Sequence, residues 1–472
     1  MSVSRSVDVV VLGAGPAGYV CAIRLAQLGK KVTVIDKAEV GGVCLNRGCI
    51  PSKALIHAGS LYEKIRHGAE LGIVVEKARV DMPKLVEWKN GVVKKLTTGV
   101  QGLLKANGCE FIAGDAKLLS NTSLEVKTAG GKATEVLNFK NLVVATGSRP
   151  MAIKGLEVDN VRVFDSTGAL DQTEIPKRLL CIGGGYIGLE LGTFYAKVGS
   201  EVTVVEAAPR ILMSVEADLA KVVERGLKKR NVKVLLNTQV KSLASSKTEV
   251  KATFKLPDGK ESTETFDKVL VTIGRTPNTD AIGLEKAGVK CDAKGFIIVD
   301  AARKTSNAAI YAIGDVAGQP LLAHKGSKEG IVAAEAIAGM KTVYDVKAMP
   351  AVVFTDPEVA TVGLTEEEAK AKGFTPKVGV FPFAANGRAL SVAEPDGMVK
   401  VIGDAKTGRL LGVHIVGVEA SNLIAEAALA LEMGAQVEDL ALTVHAHPTL
   451  PETMMEAAEA VLGHAIHIFQ KK

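Results

Sequence analysis

Cysteine, histidine and aromatic residues are all scarce in this chain, with six Cys, eight His and 4% Phe, Trp and Tyr among 472 residues. So few cysteines over such a length exclude the disulfide framework of a secreted scaffold. Four of them, Cys21, Cys109, Cys181 and Cys291, stand alone in apolar or ordinary surroundings and are expected in the core. No apolar run approaches the roughly 18 residues a spanning helix needs, so a membrane protein is not expected. Net charge is +6, but the basic residues are scattered, no run of five or six like charges exists, and aromatics are few. Nucleic acid is therefore not an expected partner. A strand-like run, Val7 to Leu12, begins so near Met1 that no targeting segment is expected, and the reading is a cytoplasmic protein. Length is not scarce: it sets a prior of roughly three domains at about 150 residues each. The mix of 47% hydrophobic and 23% charged residues is that of a compact globular chain.

A duplication organises the chain. VDVVVLGAGPAGYVCAIRLAQLGKKVTVID reads strand, glycine turn, helix, strand, with Gly13, Gly15 and Gly18 in GxGxxG spacing. The pattern recurs in RLLCIGGGYIGLELGTFYAKVGSEVTVVE, with Gly183, Gly185 and Gly188. Asp36 and Glu206 close the two units, each 18 positions after the third glycine. The first glycine makes a tight turn, the second lets backbone amides approach a pyrophosphate, and the third lets helix pack on strand. An acid at the end of the second strand accepts from ribose hydroxyls. Two dinucleotides are implied.

NLVVATGSRP and KVLVTIGRTPN each run an apolar strand into a turn, at Gly147 and Gly274, and suit chain crossings between domains. Boundaries fall there, giving segments 1–148, 149–276 and 277–349. AAIYAIGDVAG is another strand ending in Gly-Asp, where Asp315 is suited to a polyol or to a plain turn, and a helical pattern follows from Ala323 to Ala338. Beyond Pro350 the texture changes to short strands and two apolar helices, an α+β domain over 350–472. The fold class is α/β, two Rossmann-like domains plus a C-terminal α+β domain.

GGVCLNRGCIPSKAL holds Cys44 and Cys49 five positions apart, which fits an accident, a metal site or a redox pair. Metal is disfavoured, because no second CxxC or His pair lies at finger spacing, and no metal is expected. Five residues of regular helix rise about 7.5 Å, beyond the roughly 4.4–6.8 Å Cα separation of a disulfide. A bonded pair therefore needs a distorted segment, with freedom at Gly48 and a helix started or kinked by Pro51. A thiolate at a helix start, near a cation such as Lys53, is stabilised.

These motifs, with AIGD and the C-terminal HAHPTLPE, resemble the pyridine nucleotide-disulfide oxidoreductases, and within them the dihydrolipoamide dehydrogenases, the E3 components of 2-oxo acid dehydrogenase complexes. The likeness runs in order from about Val9 to Glu456. It implies that Gly13, Gly15, Gly18, Asp36, Lys53, Gly147 and Asp315 hold FAD, with Asp315 on the ribityl chain, and that Gly183, Gly185, Gly188, Glu206 and Gly274 hold NAD. It implies that Lys53 pairs with Glu190 near the flavin. It also makes 1–148 the FAD domain, 149–276 the NAD domain, 277–349 a central segment completing the FAD site, and 350–472 the dimerisation domain of a homodimer. Two positions depart from the family's habit: Asp36 where Glu is commoner, a shorter arm of the same chemistry, and Arg47 where Val is common, an added cation between the cysteines.

Thiol–disulfide exchange needs a base near neutral pH, and His suits it. By resemblance the base is His447, supported by Glu452 and placed over the cysteines of the other subunit, while His445 is structural. The implied reaction oxidises dihydrolipoamide at Cys44, leaves Cys49 as the thiolate beside the flavin, and reduces NAD⁺. Implied partners are lipoyl domains and the E2 core of a 2-oxo acid dehydrogenase complex, held non-covalently because no lipoyl domain precedes the first fingerprint. A glycine-cleavage lipoyl protein is a further candidate partner. Glutathione reductases would want cations where this chain has Glu206, Ala207 and Ala208, and mercuric reductases a vicinal cysteine pair where it ends HIFQKK. A flavoprotein scaffold without turnover would have no need of Cys44, Cys49, Lys53, His447 and Glu452 together.

Overall fold

The structure is a computed structural model that describes residues 3–37, 39–131 and 134–470. Positions 1, 2, 471 and 472, at the outer ends of the first and last expected domains, lie outside the described residues.

Strands Val3–Leu12 and Val32–Asp36 pair in parallel, and helix Pro16–Gln27 joins them, with Pro16 in its first turn where a missing N–H costs nothing. Val9, Val10 and Val11 are all buried, as expected of a parallel strand covered on both faces. The first strand is longer than its apolar run suggests. It pairs with Thr134–Val144 along its whole length, and Arg5 in its polar half is braced by Glu110 and Glu135. The sheet adds Glu110–Leu118 on one side. On the other, strand Ile310–Ala312 pairs with the end of Thr134–Val144. The strands Glu110–Leu118, Ser123–Thr128 and Thr134–Val144 also form an antiparallel meander beside it.

The second unit repeats this plan. Lys233–Leu235, Glu201–Val205, Arg178–Ile182, Lys268–Val271 and Val163–Phe164 form a parallel sheet in that order, and Gln239–Ser245, Val250–Lys255 and Glu261–Phe266 an antiparallel meander. The two crossings pair with each other: Ser148–Pro150 and Arg275–Pro277 form a two-stranded antiparallel ribbon. The stretch 277–349 contributes its strand to the first sheet, and its helix Ala323–Ile337 packs on Pro16–Gln27.

The C-terminal unit is a five-stranded antiparallel sheet with helices Ala420–Met433 and Glu452–Leu462 on one face. Every residue of its strand Leu410–Gly417 is buried, because the second unit covers part of the other face through Lys400, which is held by Glu216 and Asp218 at 3.1 and 2.9 Å. Cys21, Cys109 and Cys181 are buried as expected. Cys291 is not: it is exposed, in a bridge to Ile297 among Lys and Asp neighbours that give it no apolar cover.

Candidate active site

Both fingerprints close on themselves in the same way. A Cβ at Gly13 would overlap the carbonyl oxygen of Ala145, and one at Gly18 that of Gly13. In the second unit a Cβ at Gly183 would meet the Thr272 oxygen at 2.5 Å, and one at Gly188 would overlap that of Gly183. The middle glycines differ from these. The nearest atom to a Cβ on Gly15 would be 3.8 Å away, and Gly185 has nothing within 4 Å. The open side is where a phosphate would approach the helix start, so the turns fit dinucleotides. The two acids lock the turns from the strand end: the Ala14 amide donates to Asp36 Oδ2 and the Gly184 amide to Glu206 Oε2, each at 2.7 Å. Glu206 Oε1 also accepts from the Ala208 amide at 2.7 Å.

A cavity of about 310 Å³ opens over the first turn, within the usual range of about 300–1,000 Å³ for ligand sites. Gly15, Asp36, Gly147 and Asp315 line it, and so do Cys44, Cys49, Lys53 and Glu190. Gly13 and Asp36 face an adjoining cavity of about 390 Å³. A third, of about 800 Å³, is lined by Gly183, Gly185, Glu206 and Gly274. Gly18 and Gly188 lie beneath, at the helix–strand contact. The first and third cavities share a wall made by Tyr186, Ile187, Arg275, Leu321 and Leu322.

The cysteine segment is distorted as its spacing requires. Helix Gly42–Arg47 ends at Gly48, whose φ of −148° and ψ of −110° break the helical path, and helix Cys49–Arg66 starts afresh with Pro51 in its first turn. Cys44 and Cys49 are present as thiols that hydrogen-bond each other. That bond separates them. Cys44, the donor, is pushed up by it and by burial, whereas Cys49, the acceptor, is brought down to about 7 against the cost of burial, with help from Lys53. Cys49 is exposed only in the sense that it faces the cavity. Both directions favour a negative charge at Cys49 over one at Cys44.

Lys53 Nζ donates to Glu190 Oε2 at 2.7 Å and stands 4.4 Å from the centre of the Phe354 ring. Glu190 is buried, and its other oxygen accepts from the Phe354 amide at 2.9 Å. Across the cavity Ser148 Oγ donates to Asp315 Oδ2 at 2.5 Å and accepts from Arg275 Nε at 2.8 Å. Asp315 sits in a short 3₁₀ turn, Gly314–Ala317, held by Glu329 and Lys325, which bind the Gly314 amide and carbonyl at 2.7 and 3.1 Å.

His447 is not brought to the cysteines of its own chain: it is not among the residues lining their cavity, and its side chain is 79% exposed. Its Nδ1 bonds Glu452 Oε1 at 2.9 Å, and the Thr449 amide donates to Glu452 Oε2 at 2.7 Å. Burial pushes the Glu452 carboxyl up, but the Thr449 amide and His447 outweigh it and hold it below the ordinary range. His445 is tied down instead, with Nε2 on Glu426 Oε1 at 2.8 Å, and that bond raises its pKa against burial.

Residues 7–330 match the pyridine nucleotide-disulphide oxidoreductase family, and residues 349–458 match the dimerisation domain of that family. The chain belongs to the pyridine nucleotide-disulphide oxidoreductases. A dihydrolipoyl dehydrogenase of Geobacillus stearothermophilus is 49% identical over 464 residues, 98% of each chain. One from Thermus scotoductus is also 49% identical, over 99% of this chain and 100% of its own. Among solved structures, LpdA from Mycobacterium tuberculosis superposes with a TM-score of 0.89 at 29% identity, over 96% of this chain and 99% of its own. The expected fold class, a flavoprotein oxidoreductase using FAD and NAD, and the homodimer are borne out by family and relatives.

For this oxidoreductase, sequence reasoning did not assign Ser148, Arg275, Tyr186 or Phe354. The first three lie inside quoted motifs, ATGSRP, TIGRTPN and GGGYIG, so their signal was present. Phe354 acts through its backbone amide and ring face, which no motif marks.

Proposed function

We propose that the chain oxidises protein-bound dihydrolipoamide to lipoamide and reduces NAD⁺ to NADH, as the E3 component of a 2-oxo acid dehydrogenase complex. The observation that carries this reading is the shared wall at Tyr186 and Arg275, which puts the cysteine cavity back to back with the cavity of the second fingerprint. When bound, FAD supplies the two-electron relay between a dithiol and NAD⁺.

The residues divide the remaining tasks. Gly13, Gly15, Gly18, Asp36, Gly147 and Asp315 bind FAD, and Gly183, Gly185, Gly188, Glu206 and Gly274 bind NAD. In the oxidised enzyme Cys44 and Cys49 share a disulfide. One substrate thiol, deprotonated, attacks Cys44 Sγ, and Cys49 leaves as a thiolate. The second substrate thiol displaces Cys44, so the substrate leaves as a disulfide, having given up two electrons. His447 of the second copy takes the proton at Nε2, because Nδ1 is engaged by Glu452, whose retained charge stabilises the imidazolium. Lys53, fixed by Glu190 and Phe354, keeps a cation in the cavity that Cys49 lines, where it would stabilise a thiolate there when FAD is bound. A Glu206 carboxylate accepts from a ribose 2′-OH and repels a 2′-phosphate, which favours NAD⁺ over NADP⁺.

The segment boundaries at 148, 276 and 349 belong to the same proposal, as do the lipoyl domains, the E2 core and a glycine-cleavage lipoyl protein as partners, and a cytoplasmic location. Steady-state rates with lipoamide, glutathione disulfide and Hg²⁺, each against NADH and NADPH, test the reaction. Lipoamide with NADH should lead every other pair by about 100-fold or more in kcat/KM, the scale on which a site rejects mismatched chemistry. A lead for glutathione disulfide with NADPH would sink it.

A further inference from the structure

The helix that starts at Cys49 and the helix that starts beside the second fingerprint, Tyr186–Val198, run side by side in the same direction. Three contacts in ascending order define this. Lys53 meets Glu190 at 2.7 Å near the cysteines. Further along, a Cβ on Gly59 would come within 2.9 Å of the Phe194 ring, so the helices touch there. At the far end Lys197 Nζ donates to Ser60 Oγ at 2.9 Å and pairs with Glu63 at 3.2 Å.

That far end is a charge quartet from three parts of the fold. Lys197 is 2% exposed and also pairs with Asp356, two residues beyond the Phe354 that holds Glu190. Arg230 grips Glu63 with two bonds, 2.7 and 2.9 Å, and Asp356 Oδ2 at 2.8 Å. Two cations face two carboxylates. Burial pushes the Asp356 carboxyl up, but Lys197 and Arg230 outweigh it and keep it ionised. Outside the quartet, Lys64 and Glu394 form a further pair at 3.3 Å. None of the four charges lines a cavity named above. A neutral, interlocked quartet costs desolvation that a packed apolar patch would avoid, so its use is geometric fixity.

We propose that Glu63, Lys197, Arg230 and Asp356 form a positioning clamp. It fixes the alignment of the two helices and thereby holds the Lys53–Glu190 pair against Cys49. The clamp rests on the assignment of Cys49 as the thiolate beside the flavin. Its residues touch neither substrate nor cofactor and act through Lys53.

The test follows the long-wavelength thiolate–flavin absorbance of the two-electron-reduced holoenzyme against pH, with flavin content and Tm measured alongside. Lys197→Met should let Lys53 drift, moving the midpoint to higher pH and lowering kcat about tenfold, with the KM for NADH within about twofold, since Lys197 lies at the far end of its helix and does not line the third cavity. Lys197→Arg should restore both. Because Lys197→Met leaves an uncompensated negative charge and risks misfolding, the charge-balanced Lys197→Met/Asp356→Asn variant is made beside it and should show the same midpoint shift. A lowered Tm with an unmoved midpoint in either folded variant overturns the clamp, since it shows a brace for stability only. A wild-type enzyme with no such absorbance overturns the Cys49 assignment and the clamp with it, whereas a normal wild-type band with unmoved variants overturns the clamp alone.

Discussion

In the first nucleotide unit the strand after the fingerprint, Val32–Asp36, leads into the helices that carry both cysteines. In the second, the matching strand Glu201–Val205 leads into a loop and the helix Ala217–Lys229, which carry none. Up to that point the units are near copies, down to the carbonyl oxygens that crowd their glycines and the amide that each acid accepts. On the proposed assignment, dinucleotide binding belongs to the repeated turn and the redox chemistry to the segment that follows it in one copy alone.

The comparison breaks first at the cysteines. Cys44→Ser and Cys49→Ser should each abolish dithiol turnover, yet NADH affinity should stay within about twofold, because the second unit contains neither residue. Cys44→Ser should keep the long-wavelength thiolate band and Cys49→Ser should lose it. A band in the second variant alone would reverse their roles. The glycines come next. Gly18→Ala and Gly188→Ala each force a Cβ into a carbonyl oxygen, an overpacking on the order of 1–3 kcal/mol or more. The first should purify with depleted flavin absorbance. The second should keep its flavin while the KM for NADH rises about tenfold, which corresponds to about 1.4 kcal/mol. Matching losses in both variants would mean that the two turns do not serve separate nucleotides. Smallest is Glu206→Arg, which should move the NADPH-to-NADH ratio of kcat/KM upward by about 10–100-fold. Since Glu206 also holds Gly184 and Ala208, NADH affinity should fall in the same variant. An unchanged ratio would remove Glu206 from coenzyme choice.

The parts of the molecule legible in the sequence are those whose signal is local. Each fingerprint lies within a few dozen residues, and the spacing of Cys44 and Cys49 already demanded the break found at Gly48. Glu190 was reached through family resemblance alone, whereas Lys53 and Asp315 also carried a local signal, a cation at a helix start and an acid closing a strand, and the structure brings all three to one cavity. What stayed hidden depends on residues far apart in the chain. Ile310–Ala312 joins a sheet whose other strands end by Val144, so nothing near it announces its partner. Glu63, Lys197, Arg230 and Asp356 are ordinary charges until folding collects them. Cys291 failed in the opposite sense: its rarity as a residue type suggested the core, but its Lys and Asp neighbours put it on the surface.

The ribbon between Ser148–Pro150 and Arg275–Pro277 means that the chain enters and leaves the second unit through one doorway, with the two strands a ladder spacing of about 5 Å apart. The segment between has one entry and one exit strand, while its side chains also reach the rest of the molecule through Glu190, Lys197, Arg230 and Glu216. A segment so connected should be replaceable by another without rethreading the first sheet, provided the substitute presents its own ends side by side and keeps partners for Lys53, Glu63 and Asp356. On the proposed assignment the choice of electron acceptor is separable along the chain, and Glu190 is the point at which the same segment reaches into the cysteine site.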